Sequence, residues 1–249
     1  MVHAASVGAS ALSPLFGGFI IKFFNFPTLF IVGSVLLFIA MIPLFLTKET
    51  YEKLTFSKEG LFRDIFQKNN SHYTLSFAGY AVESWIGFVI WLIFLFTVLF
   101  TIESVGVIVS LTTITTLLIF YFIGKATDKR DKRGLLKIGT FLYFFGWVGR
   151  MVVNNFVSIF FVDTYKSITR YFLYVPWSAY SYDLAAKANY FKFIVRREII
   201  FNLTRTMIIP FLILIFVIDY HPFRVSFLIA ALFSLFFMTL NKKNRLKQM

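Results

Sequence analysis

Residues 124–133, from Gly124 to Arg133, read GKATDKRDKR and separate two apolar stretches at 104–123 and 135–153. Short loops of small, acidic and basic residues between such stretches are where a chain turns around beside a membrane, with its Lys and Arg retained in the cytoplasm. Each flanking stretch is about twenty residues long, enough for a helix to cross a hydrocarbon core of about 30 Å. Lipid is therefore the expected solvent for most of the chain.

Working outward, the same pattern repeats. Hydrophobic residues make up 58% of the 249 positions, Phe occurs 35 times and the mean hydropathy is +0.76. A water-soluble domain does not carry that load. Divided into helix-plus-turn units of about 25–30 residues, the chain reads as spans at 2–21, 28–46, 73–98, 104–123, 135–153, 156–183, 194–218 and 222–240. The expected fold is all-α, a polytopic membrane protein of about eight transmembrane helices. The first stretch lacks the basic start of a signal peptide, and its apolar character continues past Pro14 to Lys22, so it reads as a span.

The net charge of +13 raises the question of nucleic acid, and position answers it. Lys and Arg gather at 47–72, 124–134, 184–193 and beyond 241, whereas the opposite set of connections has only Lys22, Arg150 and Arg224 nearby. That asymmetry predicts a multi-pass protein of the cell (plasma or inner) membrane with both termini cytoplasmic, and no nucleic-acid partner. With no cysteine, disulfides, thiolate metal sites and cysteine nucleophiles are excluded. His3, His72 and His221 fall near segment ends and share no metal-ligand spacing. No nucleophile–base arrangement or nucleotide loop appears, so neither an enzyme nor a cofactor is expected.

Residues 47–72 form the longest polar segment and divide the chain. Within it Leu61, Phe62, Ile65 and Phe66 would share one helical face, which suits either a helix lying on the inner membrane surface or one packed on protein. Pro14, Pro43, Pro176 and Pro210 fall inside four spans, where each removes a helical hydrogen bond and tends to kink the helix.

Ionisable side chains inside a bilayer are costly unless paired or hydrated, so their placement carries the functional information. Asp163, Lys166 and Arg170 stand at i, i+3 and i+7 on one face of the sixth span, with Tyr174 and Trp177 continuing the stripe. Asp163 and Lys166 are expected to pair within the helix, leaving Arg170 in need of an aqueous cavity or a partner acid. The seventh span carries Glu198, Asn202 and Arg205 at i, i+4 and i+7. Glu83, alone in the third span, is the candidate to balance Arg170 or Arg205, or to carry a proton. Structural pairing that fixes helix positions and a polar transport pathway are both open for these residues. Asp183 lies at a span end, where a gate or a surface contact is expected.

The loop at 124–133 resembles the cytoplasmic signature of the major facilitator superfamily, Gly-x-x-x-Asp-Arg-x-Gly-Arg-Arg. Gly124, Asp128, Lys129, Lys132 and Arg133 fill its positions, while Asp131 stands where the second glycine would be. Ser13-Pro14-Leu15-Phe16-Gly17-Gly18 resembles the Gly-Pro-x-x-Gly-Gly signature of proton-coupled drug antiporters, with Ser13 in the first glycine's place. Small residues there also let helices pack closely. The resemblance implies that 1–46 corresponds to helices five and six of a twelve-helix transporter. By the same alignment 47–72 is the linker between halves, 73–240 the six-helix C-terminal half and 241–249 a basic cytoplasmic tail. The family's first four helices have no counterpart in these residues, which implies a partial major facilitator fold.

The resemblance further implies alternating access, with Asp128 in a cytoplasmic latch. The expected function is proton-coupled efflux of a small organic or drug-like solute. The expected partners are the lipid bilayer, that solute and protons. Glu83 and Asp163 are the proton-carrier candidates, because buried carboxyls can exchange protons near neutral pH, and Lys166, Arg170 and Arg205 would attract anionic groups. A nutrient symporter for a sugar or organic anion, or a non-transporting truncated scaffold, remains the alternative.

Overall fold

The computed structural model describes residues 2–48, 65, 71–127, 132–187 and 190–241, and there the chain is helical without a strand. The helices are α1 (Val2–Phe23), α2 (Phe26–Leu46), α3 (Ser71–Leu99), α4 (Ile102–Thr127), α5 (Lys132–Arg150), α6 (Phe156–Lys187), α7 (Tyr190–Ile218) and α8 (Pro222–Leu240, its last part 3-10 helical). Five of them (α2, α3, α4, α7 and α8) are long and apolar enough to cross a membrane. The other three are shorter in their described apolar part or carry charges: Arg133 and Arg150 in α5, Asp163, Lys166, Arg170 and Asp183 in α6.

Local sequence explains the boundaries. Asn25 accepts the backbone N–H of Thr28 at 2.9 Å and caps α2, with Pro27 in the first turn where a missing N–H costs nothing. Phe100 closes α3 in the left-handed region (φ 62°), and Thr101 then caps α4 through its contact with the Ser104 N–H. Asn155 accepts the Ser158 N–H at 2.9 Å and starts α6. Helix α4 runs past its apolar stretch to Thr127 and α5 begins at Lys132, so Gly124, Lys132 and Arg133 lie in helices rather than in a loop; α6 likewise runs on to Lys187. Hydropathy marks where lipid ends, and a helix need not end there. Pro14, Pro43, Pro176 and Pro210 all sit inside helices, as their positions suggested. Of the segment 47–72, Ile65 is described: it is buried, and its carbonyl accepts the Thr74 hydroxyl at 3.0 Å.

The core forms where α3, α5 and α8 meet, around Phe77, Ile86, Tyr143, Trp147, Phe227 and Phe237, with α6 and α7 against its sides. Polar and apolar faces are arranged inside out. On α5, Tyr143 and Trp147 are fully buried, while Ile138 and Phe141 are 61% and 57% exposed. On α6, Asp163 and Lys166 are buried and Phe161 is 65% exposed. Helix α2 packs on α1 and buries none of its residues. A helix apolar all round needs lipid or protein as its surroundings, and this surface suits a membrane-embedded protein.

Helix α5 packs most extensively on α6, and glycine permits it. A Cβ added at Gly139 would fall 2.6 Å from the backbone of Phe172, so the two backbones touch there. Gly139→Leu is expected to force α5 and α6 apart and to cost about 3 kcal/mol or more. A lowered midpoint of thermal unfolding in neutral detergent checks this, and an unchanged midpoint would exclude the close seam.

Helix α1 meets the rest through α4, running antiparallel to it. A Cβ at Gly106 would lie 2.6 Å from the Pro14 carbonyl oxygen, and one at Gly18 would lie 3.2 Å from the Glu103 Cα. The Leu15 N–H donates to the Ser110 hydroxyl at 3.0 Å, and Lys22 pairs with Glu103 at 3.3 Å. Pro14 and Gly18 therefore sit in a packing seam, whereas a Cβ at Gly17 would meet only the tip of Leu29 at 4.0 Å.

Candidate functional site

Glu83 stands midway along the 29-residue α3, three residues before a π-helical turn, Ile86–Ile90, in which the Trp91 N–H reaches back to the Ile86 carbonyl. Such turns insert one extra residue and often accompany functional positions. Gly87 in this turn lies against both the Trp147 ring and the Glu83 carboxylate.

Helix α5 contributes Tyr143, Trp147 and Arg150 at i, i+4 and i+7, one stripe facing α3 and α6. The Tyr143 hydroxyl donates to Glu83 Oε1 in a short hydrogen bond. Lys166 of α6 donates to the Tyr143 hydroxyl at 2.8 Å, and its Nζ lies 3.5 Å from Glu83 Oε1. One helical turn away, Arg150 pairs with Asp163 through Nη2 and Oδ1. All five of these polar side chains are buried. The cations also rest on aromatic faces. Arg150 sits 3.7 Å from the Trp91 ring centre and 4.7 Å from Trp147, and Lys166 sits 4.1 Å from Trp147. Cation–π contacts of this kind are worth about 2 kcal/mol when desolvated.

Arg170 differs from its neighbours. It shares the wall of a small void with Glu83, Tyr80, Tyr143 and Tyr174, yet among the described residues no carboxylate pairs with it. Its side chain is exposed into a cleft of about 330 Å³ between α4 and α6, lined by Thr113, Thr116, Ser167, Arg170, Tyr171 and Tyr174. Beneath the cleft lies an aromatic cluster. Tyr80 stacks on Trp177 at 4.9 Å, and the Trp177 indole N–H donates to Ser76 at 2.8 Å. Trp177 thus continues the α6 stripe as a packing element rather than as part of the ionic set.

Two sequence expectations are corrected. Asp163 and Lys166 do not pair with each other: Asp163 takes Arg150 from α5, and Lys166 takes Glu83 from α3. The i, i+3 spacing would allow the pair, but α5 and α3 pack on this face of α6 and present the partners instead. Glu83 accordingly balances Lys166, not Arg170 or Arg205. The α7 residues stand apart from this network. Glu198 pairs with its neighbour Arg197 at 2.9 Å on an exposed surface, and Asn202 donates to the Glu198 carbonyl within its own helix. Arg205 lies 5.7 Å from the Phe201 ring centre, with its Nε unpartnered. Asp183 is exposed near the end of α6. Asp128 and Lys129 of the loop signature lie outside the described residues.

Arg150 and Tyr143 escaped the sequence reading. Arg150 passed for a residue near a loop because it ends its helix. The signal was present in the Tyr143, Trp147, Arg150 spacing, which repeats the polar periodicity of α7. No protein-family model, curated protein or solved structure matches the chain.

Proposed function

We propose that the chain is the membrane-embedded part of a secondary active transporter of the major facilitator type, exchanging a small organic solute against protons by alternating access. One observation carries the reading: three helices bury a charged network in a bundle with apolar outer faces, beside a polar cleft holding a cation, Arg170, that no carboxylate pairs with among the described residues. Burying four charges adds little stability to a scaffold, because apolar substitutes are often as stable or more so. Charges in such a setting usually mark a solute or proton path.

In this reading all eight helices span the membrane, including α1, α5 and α6, with both termini cytoplasmic in the cell membrane. The 19 residues of α5 rise about 28 Å, a full hydrocarbon crossing. Residues 1–46 and 73–240 belong to two transporter halves, and the glycine-lined seam between α1 and α4 is the surface along which they move. Glu83 is the proton carrier. Its protonation removes the counter-ion of Lys166 and loosens α3 from α6, which couples proton uptake to helix movement. Asp128, with Lys129, Lys132 and Arg133, forms the cytoplasmic latch.

Proteoliposomes containing this chain, given an imposed pH gradient, test the proposal. Solute uptake from a library of small organic compounds is expected to depend on the gradient and to vanish when a protonophore collapses it. Uptake in the direction of proton entry identifies the nutrient symporter instead. Total absence of gradient-dependent flux leaves a membrane scaffold.

A further inference from the structure

We infer that the cleft between α4 and α6 binds an anionic group, a carboxylate or phosphate ester, attached to an aromatic or apolar body. The inference rests on the transporter reading and names its substrate class.

The charge balance is the first ground. Within the network, Glu83 and Asp163 face Arg150 and Lys166 one to one, and both pairs close on themselves. Among the described residues Arg170 is the excess cation, and of Glu83, Arg150, Asp163, Lys166 and Arg170 it alone is exposed, into the cleft. A bound anion therefore completes the balance, whereas a cationic solute meets uncompensated positive charge.

The lining supplies the second ground. A guanidinium presents a planar fork suited to two-point contact with carboxylate or phosphate oxygens. The Ser167 hydroxyl stands in the same wall and can donate to a further oxygen, whereas the Thr113 hydroxyl is taken up by the Val109 carbonyl at 2.7 Å. Tyr174, 5.8 Å from the Arg170 guanidinium and 5.8 Å from the Trp177 ring, offers an aromatic face beside the anion position. The volume of about 330 Å³ suits a compact organic molecule. The same chemistry also describes an anionic lipid headgroup with its acyl chain entering from the membrane.

Equilibrium binding separates these sources without requiring transport, so failure here leaves the flux test intact. Purified protein in dodecyl maltoside is titrated with benzoate, phenyl phosphate, benzyl alcohol and benzylamine, with the thermal unfolding midpoint as readout. The two anions are expected to raise the midpoint saturably, and the neutral and cationic probes are not. Arg170→Gln is expected to weaken anion binding about tenfold or more, in line with loss of a charge-assisted pair. Tyr174→Leu keeps the charge and is expected to weaken benzoate more than acetate, titrated in the same way as a carboxylate without a ring, which guards against a folding defect in Arg170→Gln.

A second arm compares phosphatidylcholine vesicles with vesicles containing phosphatidylglycerol. Stabilisation by phosphatidylglycerol that Arg170→Gln abolishes, without response to benzoate or phenyl phosphate, assigns the anion site to lipid. An equal response to neutral and anionic probes, or anion effects unchanged in Arg170→Gln, overturns the inference.

Discussion

Asp163→Ala is expected to destabilise the bundle by about 3–5 kcal/mol, the cost of leaving a buried charge without its partner. Arg150 is then held between the Trp91 and Trp147 rings with no carboxylate, and it already has Nε and Nη1 without hydrogen-bond partners. The rings compensate only part of the loss, since a desolvated cation–π contact is worth about 2 kcal/mol. Escape to water is blocked, because Arg150 is 5% exposed. The pair itself is not what stabilises the fold. Arg150→Met combined with Asp163→Leu fills the same space without charge and is expected to lie within about 1–2 kcal/mol of the native protein, or above it. Chemical unfolding in mixed micelles, run as a double-mutant cycle, reads both values. A single Asp163→Ala variant as stable as the parent protein would show the pair to be solvated, and the sealed network would fall with it.

This asymmetry also bears on why part of the site was readable from sequence. Glu83, Asp163, Lys166 and Arg170 announce themselves because charges are rare in apolar runs, and each lies in or beside the polar interior. Which charge meets which was not readable. Spacing along α6 favours Asp163 with Lys166, but pairing is decided by the rotation of α5 and α3 about it. That rotation is set by contacts such as Gly139 against Phe172, which hydropathy does not register. The helices themselves were legible for the same reason as the charges. Apolar runs located all of them to within several residues, yet missed the polar ends of α4 and α6, where helix continues beyond the apolar stretch. The α7 residues show the limit of periodicity. Glu198, Asn202 and Arg205 have the right spacing for an inward stripe, but Glu198 turns to Arg197 on the outside and Asn202 to its own backbone.

Glu83→Gln is expected to lower gradient-driven solute flux by about a hundredfold, roughly 2.7 kcal/mol in the barrier, while exchange of solute across the membrane without a gradient persists. Gln keeps the shape of Glu83 and still accepts the Tyr143 hydroxyl, so the packing of α3 against α5 is retained. What it loses is the ability to take up and release a proton, and the charge that faces Lys166 at 3.5 Å. Those two losses have different signatures. Loss of the ion pair alone leaves an unbalanced lysine and lowers stability; Lys166→Met added to Glu83→Gln removes that imbalance and is expected to restore the unfolding midpoint. Coupling is not restored by the second substitution, because the carrier of the proton is still missing. Stability recovered and gradient dependence still absent in the double variant therefore assigns Glu83 a coupling role. Gradient-driven flux that survives in Glu83→Gln at the native rate makes the Glu83–Lys166 pair a fixture between α3 and α6, and the proton path must then run elsewhere.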